Sequence, residues 1–142
     1  WENGQKHQEK NYKDGKLDGK WTEWWSDGQI WWEGNYKDGK RDGKQINWYE
    51  NGQIRSEWNI KDGKSDGKMT MWHENGQKQE VNIYIDGNKN GLWMSWHKNG
   101  QKKSEISFKD DKRDGMWFEW HDDGKKWWEA EYKNGECVSG GC

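Results

Sequence analysis

One seven-residue phrase recurs along the chain at a fixed spacing. "KDGKLDG" at residues 13–19 returns as "KDGKRDG" at residues 37–43 and as "KDGKSDG" at residues 61–67, each copy 24 residues after the last. A fixed period between 20 and 50 residues is the signature of a repeat architecture, in which each unit is completed by its neighbours. The period therefore constrains the fold more than any other feature of the sequence.

Counting Trp1 as repeat position 1 carries the period through all 142 residues. We predict a single repeat domain over residues 1–142, with no linker and no second domain. Its six units are residues 1–24, 25–48, 49–72, 73–96, 97–120 and 121–142.

Glycine marks three repeat positions. Position 4 is glycine in every unit, whereas positions 15 and 19 each have one exception, Asp111 and Ser139 respectively. Because glycine is favoured where the backbone needs a positive φ, we predict structural turns at these positions. The predicted turn glycines are Gly4, Gly15, Gly19, Gly28, Gly39, Gly43, Gly52, Gly63, Gly67, Gly76, Gly87, Gly91, Gly100, Gly115, Gly124 and Gly135.

Each unit contains two turn signals. "NGQ" or "DGQ" around position 4 predicts a type I′ hairpin turn, whose two central residues both need positive φ. "DGKxDG" is expected to form a six-residue loop. The runs between these signals, such as residues 5–12 and 20–24, are of strand length and too short for helices.

Alternation along a strand places positions 22 and 24 on one face. We expect the tryptophans of position 24 to form one ladder and the aromatic residues of position 12 to form a second. The predicted ladder residues are Trp24, Trp48, Trp72, Trp96, Trp120, Tyr12, Tyr36, Tyr84, Phe108 and Tyr132. The predicted fold is all-β: a single elongated antiparallel β-meander or solenoid of six hairpin repeats, with about twelve strands and two open edges.

Composition excludes several functions. The 24 basic and 26 acidic residues nearly cancel, so the chain has no electrostatic footprint for nucleic acid. No apolar run approaches the ~20 residues that cross a bilayer, so we expect no membrane insertion. The hydrophobic share of 28% is low enough for a disordered chain, but 15 tryptophans argue against disorder.

The stretch "WEGNYKDGKRDGKQINWYENGQ" at residues 32–53 resembles a MORN repeat. The glycines and aromatic residues of that unit are matched by Gly34, Tyr36, Gly39, Gly43, Tyr49 and Gly52. The stretch is more similar still to the bacterial MORN variant known as the YwqK-type antitoxin. The resemblance implies a β-hairpin array with a non-enzymatic role, as MORN arrays generally are scaffolding and binding modules.

Histidine recurs at position 1 as His73, His97 and His121. Equivalent residues of successive hairpins lie two strands apart, roughly 9.5 Å, whereas zinc ligands must lie within ~2.1 Å of the metal. We therefore expect flat ring substitutes and no metal site. The paired loop aspartates, such as Asp14 with Asp18, alternate with lysines that oppose a dication, so turn capping is expected in place of calcium binding.

No catalytic set can be assembled from the sequence. Acids recur at position 9 and lysines at position 13, spread evenly over the units instead of gathered at one point. Such rows are typical of a solvated sheet face. We predict no enzymatic activity and no cofactor.

Two pairs of adjacent tryptophans, Trp31–Trp32 and Trp127–Trp128, are expected to point to opposite faces of the sheet. Exposed indoles would be candidates for binding sugars, or choline-like cations through cation–π contacts. The alternative is that both faces are covered, through curling of the sheet or through assembly.

The fourth unit departs most from the repeat. Its strand "VNIYI" has Val81 and Ile85 where the other units have glutamate and lysine, and Ile83 lies between them. Uncharged apolar strands are usually protected. We take Val81, Ile83 and Ile85 as a candidate interface with a partner or with another copy of the chain.

The two cysteines, Cys137 and Cys142, lie in "ECVSGGC". They are expected to form a local disulfide, although two free thiols remain an alternative. A disulfide favours an oxidising compartment and thus a secreted or surface-exposed protein. Because the chain starts at Trp1 and not at methionine, we also expect that it has been processed, with an upstream export signal removed.

These features predict a structural, scaffolding or protein-binding repeat protein. Self-assembly is one form of this role, because strand pairing between copies would satisfy both open edges and give end-to-end filaments. Two alternatives are a carbohydrate-binding module that uses exposed tryptophans and a cytoplasmic antitoxin that binds a protein toxin. The expected partner is a protein, including copies of the chain itself, or else a glycan.

Overall fold

The computed structural model describes residues 1–142 and consists of strands and turns only. Fourteen strands form one open antiparallel sheet, which confirms the predicted all-β meander of hairpin repeats. The strands are β1 (Gln8–Lys13), β2 (Lys16–Trp24), β3 (Ile30–Lys37), β4 (Lys40–Trp48), β5 (Ile54–Lys61), β6 (Lys64–Ser65), β7 (Gly67–Trp72), β8 (Lys78–Ile85), β9 (Asn88–Lys89), β10 (Gly91–Trp96), β11 (Lys102–Lys109), β12 (Lys112–Trp120), β13 (Lys126–Lys133) and β14 (Glu136–Gly140).

Neighbouring strands in the sheet are neighbours in sequence. The order is β1-β2-β3-β4-β5-β7-β8-β10-β11-β12-β13-β14, with β6 paired to β5 and β9 paired to β8. The two short strands arise because the second strand of units 3 and 4 is interrupted, at Asp66 and at Asn90. This interruption accounts for fourteen strands where the sequence predicts about twelve.

The tight hairpin turn of each unit lies at the Asp-Gly of "KDGK". Asp14 and Gly15 have φ values of 50° and 76°, as a type I′ turn requires, and β2 begins directly afterwards at Lys16. The expected six-residue loop is therefore wrong. Asp111 adopts the same left-handed geometry in place of glycine, with φ of 65°.

The turn at "NGQ" or "DGQ" has a different geometry from the expected type I′. In unit 2 the amide of Gly28 donates to the carbonyl of Trp25 at 3.0 Å, and Gly28 has φ of 87° while Asp27 keeps a negative φ. This is a type I turn followed by a left-handed glycine, the arrangement of a G1 bulge. Glycine is needed here at one residue, not two.

The glycine of position 19 lies within a strand. Between β1 and β2 the register passes from Lys10 opposite Trp21 to Tyr12 opposite Leu17, so a single residue of β1 faces three of β2. Gly19 lies in this bulge with φ of 101°. The position-19 glycines therefore accommodate an irregular stretch of strand instead of closing a loop.

The sheet has two solvated faces, and we name them by their side chains. Face A carries Trp21, Trp32 and Tyr36, whose rings contact one another with centroids 5.5–6.4 Å apart. Face B carries the position-24 tryptophans together with the acids of position 9. Because the sheet is a single layer, only nine of 142 residues are buried.

The aromatic contacts differ from the predicted ladders. No ring contact joins two of the position-24 tryptophans, because equivalent residues lie roughly 9.5 Å apart and ring pairs need about 4.5–7 Å. On face A the rings of position 21 instead bridge those of position 12. Trp93 lies 5.2 Å from Tyr84 and 5.1 Å from Phe108, which links units 4 and 5.

Successive "KDGK" turns are braced by the aspartate of position 18. The carboxylate of Asp18 accepts a hydrogen bond from the amide of Asp38 in the next unit at 3.3 Å, and Asp42 does the same for Asp62. These carboxylates thus cap the turn of the following unit.

The last hairpin, β13–β14, has its own register. Ala130 pairs with Gly140 at position 20, whereas the corresponding residue Ile106 pairs with Trp117 at position 21. A disulfide joins Cys137, within β14, to Cys142, which follows the end of that strand. End-to-end pairing through β14 would therefore start from a register that the other units do not use, and it stays a prediction.

Gly34 allows the closest packing on face A. A Cβ at this position would lie 2.5 Å from the Trp32 indole and would also meet Oε1 of the fully buried Gln45. We expect Gly34→Ala to lower the free energy of unfolding by about 1–3 kcal/mol, as overpacking does. Denaturant unfolding measures this change.

A double-mutant cycle with Trp32→Ser tests the cause of that loss, since serine occupies the same repeat position at Ser56. If the indole is responsible, the cost of Gly34→Ala is smaller in the Trp32→Ser background. Strictly additive costs would show that the clash with Trp32 is not the reason.

Candidate functional site

The "NGQ" and "DGQ" turns line up at one end of the strands and form what we call the turn rim. The rim comprises residues 1–5, 25–29, 49–53, 73–77, 97–101 and 121–125. In units 1, 3, 4 and 5, two side chains of the turn bond to the next turn. These bonds link the turns of successive units in addition to the backbone ladder of the sheet.

The first reaching side chain is the asparagine of position 3. Asn51 Nδ2 donates to the carbonyl of Glu74 at 3.0 Å, while its Oδ1 accepts from the amide of Gln53 in its own turn. Asn3, Asn75 and Asn99 repeat the bond to the next turn.

The second reaching side chain is the ring of position 1. The hydroxyl of Tyr49 donates to the carbonyl of Trp72 at 2.7 Å. His73 Nε2 lies 3.1 Å from the carbonyl of Trp96, and His97 Nε2 lies 2.9 Å from that of Trp120. These histidines thus take the place of an aromatic ring, and the structure brings no three His, Cys, Asp or Glu side chains together as a metal site.

Both bonds are missing between the turns of units 2 and 3. The indole Nε1 of Trp25 is buried without an acceptor, and Asp27 has no donor to offer to the next turn. The Asp27 carboxylate instead accepts from the amide and the side chain of Gln29. This is the one junction between turns of the rim that lacks both braces.

A groove of larger volume than the two other grooves along the rim lies at this junction. Its volume is about 610 Å³, against 380 and 450 Å³ for the two other grooves along the rim. We call it the rim groove. It is lined by Trp25, Trp48, Tyr49, Glu50, Asn51, Arg55 and Glu74.

The rim groove combines aromatic faces with unpaired charges. Arg55 lies over the ring of Tyr49, with 5.7 Å between the guanidinium carbon and the ring centroid. Neither Arg55 nor the acids Glu50 and Glu74 form an ion pair, and all three are exposed. Both donors and acceptors are therefore free to meet a ligand.

The tryptophans of each pair differ in how far they are buried: Trp31 and Trp128 are half-buried, Trp32 is buried and Trp127 is exposed. Trp32 is 7% exposed, whereas Trp127 is 53% exposed and lies against the ring of His121 at 5.8 Å. Trp31 and Trp32 both line one groove on face A. The expectation that they point to opposite faces is wrong, because a β-bulge interrupts the alternation there. Trp128 contacts Trp117 on face A.

A second candidate surface lies on face B in units 4 and 5. Val81 is buried and pairs with Thr70 and Met94, whereas Ile83 is half-buried and Ile85 is 52% exposed. Two further apolar residues, Leu92 and Met116, occupy the position that is lysine in units 1–3. We call Val81, Ile83, Ile85, Leu92 and Met116 the apolar patch.

The patch replaces a row of ion pairs. Lys20 pairs with Glu33 at 2.8 Å and Lys44 pairs with Glu57 at 2.9 Å, each across neighbouring strands of face B. The next lysine in this row, Lys68, has Val81 in place of the glutamate and is exposed without an ion pair. The polar row of units 1–3 thus ends at Lys68.

Face A is largely covered by the chain's own cations. Arg113 lies over the ring of Trp117 at 4.1 Å, and Lys89 lies over Trp93 at 4.7 Å. Such contacts occupy the aromatic faces that a cationic ligand would need. The rim groove and the apolar patch are therefore the better candidates for binding.

The braced turns and the sequential hairpins define a β-hairpin repeat protein with an open sheet. Five consecutive stretches match the family described as MORN repeat variant, at residues 17–38, 41–62, 65–86, 89–110 and 113–134. The chain therefore belongs to the MORN repeat family. No curated protein is significantly similar to it in sequence. The structure has no helix that is long and apolar enough to cross a bilayer.

We expect Asp27→Asn to stabilise the protein. Asparagine would keep the acceptor for the amide of Gln29 and add a donor to the carbonyl of Glu50, as Asn51 does one unit later. An added exposed hydrogen bond contributes about 0.5–1 kcal/mol, or roughly 2–4 °C in Tm. Thermal unfolding of Asp27→Asn and of the reverse change Asn51→Asp should give shifts of opposite sign; shifts of the same sign would contradict the role of this brace.

Tyr84 should make stability depend on pH at the alkaline end. Burial raises the pKa of Tyr84 above its ordinary value of 10.0, and the carboxylates of Glu80 and Asp111 raise it further. The unfolded chain therefore ionises this tyrosine first, so stability is retained below pH 10 and falls as the pH rises further. Tyr84→Phe should flatten the fall of Tm between pH 10 and 11.5, whereas an unchanged slope would assign the fall to other groups.

Proposed function

We propose that this MORN array is a non-enzymatic scaffold that binds a protein partner through the apolar patch on face B. The observation that carries the proposal is the replacement of the Lys–Glu row by aliphatic residues at one place in an otherwise regular array. Membership of the MORN repeat family supports a binding role.

The exposure of the patch supports this role. Ile85 and Met116 are 52% and 37% exposed, although equivalent positions in units 1–3 carry lysine. Uncharged strand segments on a solvated sheet face associate readily unless something covers them. A protein surface that buries these residues would gain the apolar contacts that the single-layer sheet cannot provide for itself.

The unpaired charge of Lys68 indicates what kind of partner the patch would bind. Lys68 borders the patch without the glutamate that its counterparts have, so a carboxylate from a partner would complete the row. An acidic side chain of a different protein would supply this carboxylate directly. The favoured partner is therefore a different protein that presents apolar side chains beside an acidic residue.

The disulfide between Cys137 and Cys142 supports an oxidising compartment as the place of this interaction. A protein toxin neutralised by this surface is one form of the proposal, and the identity of the captured chain decides it.

The test places a photo-crosslinking amino acid at Ile85, and at Lys61 as a control in the same repeat position one unit earlier. We expect a crosslink from position 85 to one distinct protein and none from position 61. The purified partner should bind at least tenfold more weakly to Lys68→Glu and to the double variant Ile83→Asn, Ile85→Lys. The introduced asparagine and lysine are the residues that unit 3 has at the same repeat positions, Asn59 and Lys61, so the fold should persist.

Three results would overturn the proposal. The first is equal crosslinking from positions 85 and 61, and the second is a crosslinked product of two copies of this chain. The third is unchanged affinity of the purified partner for the double variant while its Tm stays that of the wild type.

A further inference from the structure

We propose that the rim groove between the turns of units 2 and 3 binds a neutral oligosaccharide. This site lies at the turn rim, apart from the apolar patch on face B, and is independent of the protein-binding role. The groove lies where two braces between turns are missing, its side chains suit a polyhydroxyl ligand, and its charges exclude the ionic alternatives.

The groove lies at the junction whose turns lack both braces. At the other junctions a ring at position 1 or an asparagine at position 3 bonds to the next turn. Trp25 and Asp27 make neither bond, and the buried Nε1 of Trp25 is left without an acceptor. The indole Nε1 atoms of Trp21 and Trp117 are also buried without an acceptor, so the loss of both braces, and not this donor alone, distinguishes the junction.

The groove offers flat apolar faces next to planar polar groups. Trp25 and Trp48 supply the aromatic surface, and Arg55, Asn51 and Glu50 supply guanidinium, amide and carboxylate groups. A sugar ring has an apolar C–H face that lies on an aromatic ring, and its adjacent hydroxyls both donate and accept. Planar side chains that donate or accept two bonds at once match this pattern.

The charges of the groove separate a neutral ligand from a charged one. Arg55 is exposed without a carboxylate partner and would repel a cation such as a quaternary ammonium group, which would also find the Tyr49 face occupied. The free carboxylates of Glu50 and Glu74 would repel an anion. A neutral polyhydroxyl ligand can use the donors of Arg55 and the acceptors of both acids together.

The ligand is expected to be a chain rather than a single sugar. A second groove follows along the rim at Tyr49 and His73, and a third lies at His97 and His121. Successive units are roughly 9.5 Å apart, so a linear oligomer can reach from the rim groove into the next one.

The test is isothermal titration calorimetry of the full chain with chitohexaose and with cellohexaose. We expect one of these neutral hexamers to bind and the corresponding monosaccharide to bind at least tenfold more weakly. The closing variant Trp25→His, Asp27→Asn gives the rim groove the residue types of the braced junctions, at which His73, His97 and Asn51 are found. It should raise Tm and weaken hexamer binding at least tenfold.

Two single variants complete the design. Arg55→Gln introduces the residue that unit 4 has at the same position, Gln79, and should weaken binding by removing the paired donors. Trp1→His makes the same exchange as in the closing variant at a turn outside the rim groove, and should leave hexamer affinity within twofold of the wild type.

Absence of binding by both neutral hexamers would overturn the proposal. So would hexamer affinity of the closing variant equal to that of the wild type, because binding would then lie elsewhere. Tighter binding of hexagalacturonate or of the cationic glucosamine hexamer than of either neutral hexamer would overturn the assignment of a neutral ligand.

Discussion

The spacing of strands in a single layer controls how the units of this protein hold together. Equivalent side chains of successive hairpins lie two strands apart, too far for direct contact between rings. Contact between units must therefore use different positions on adjacent strands, as Trp93 does between Tyr84 and Phe108. At the two ends of the strands, side chains such as Asp18 and Asn51 form hydrogen bonds to the turn of the next unit. With so few buried residues, these short-range braces carry much of the cohesion that a second layer would otherwise provide.

The 24-residue period was sufficient to predict the hairpins, their number and their sequential pairing. Local geometry was harder, because Asn-Gly and Asp-Gly suit both a type I′ turn and a type I turn with a G1 bulge. The chain uses the first at Asp14–Gly15 and the second at Trp25–Gly28. Because the turns and bulges were misassigned, the ring contacts on face A were not predicted either. Simple alternation takes no account of the bulge at Trp31 or of the three residues around Gly19, and position 21 was therefore not singled out.

The two candidate surfaces differ in how far each could be predicted from the sequence. The apolar patch was found in part, since Val81, Ile83 and Ile85 break a polar pattern within one strand. Leu92 and Met116 were missed because they lie on other strands, each at the repeat position that is lysine in units 1–3. The rim groove could not be predicted, because it depends on the absence of two hydrogen bonds that are visible only once the turns are aligned in space. A comparison of position 3 across the units would nevertheless have shown Asp27 and Asp123 in place of asparagine.

In a repeat protein the departures from the period are the natural places to seek function, because the regular positions are already explained by the array. Each unit contacts only its neighbours, so the energetic effect of a substitution is confined to the junctions beside it. The rim groove is lined by residues of units 2 and 3 and by Glu74 at the turn of unit 4, whereas the patch lies on the strands of units 4 and 5. Changes at Trp25 and Asp27 should thus leave the patch as it is, and changes at Ile83 and Ile85 should leave the groove as it is. The two proposed sites thus use different residues, on the turn rim and on face B respectively, and each can be altered by substitutions that leave the other unchanged.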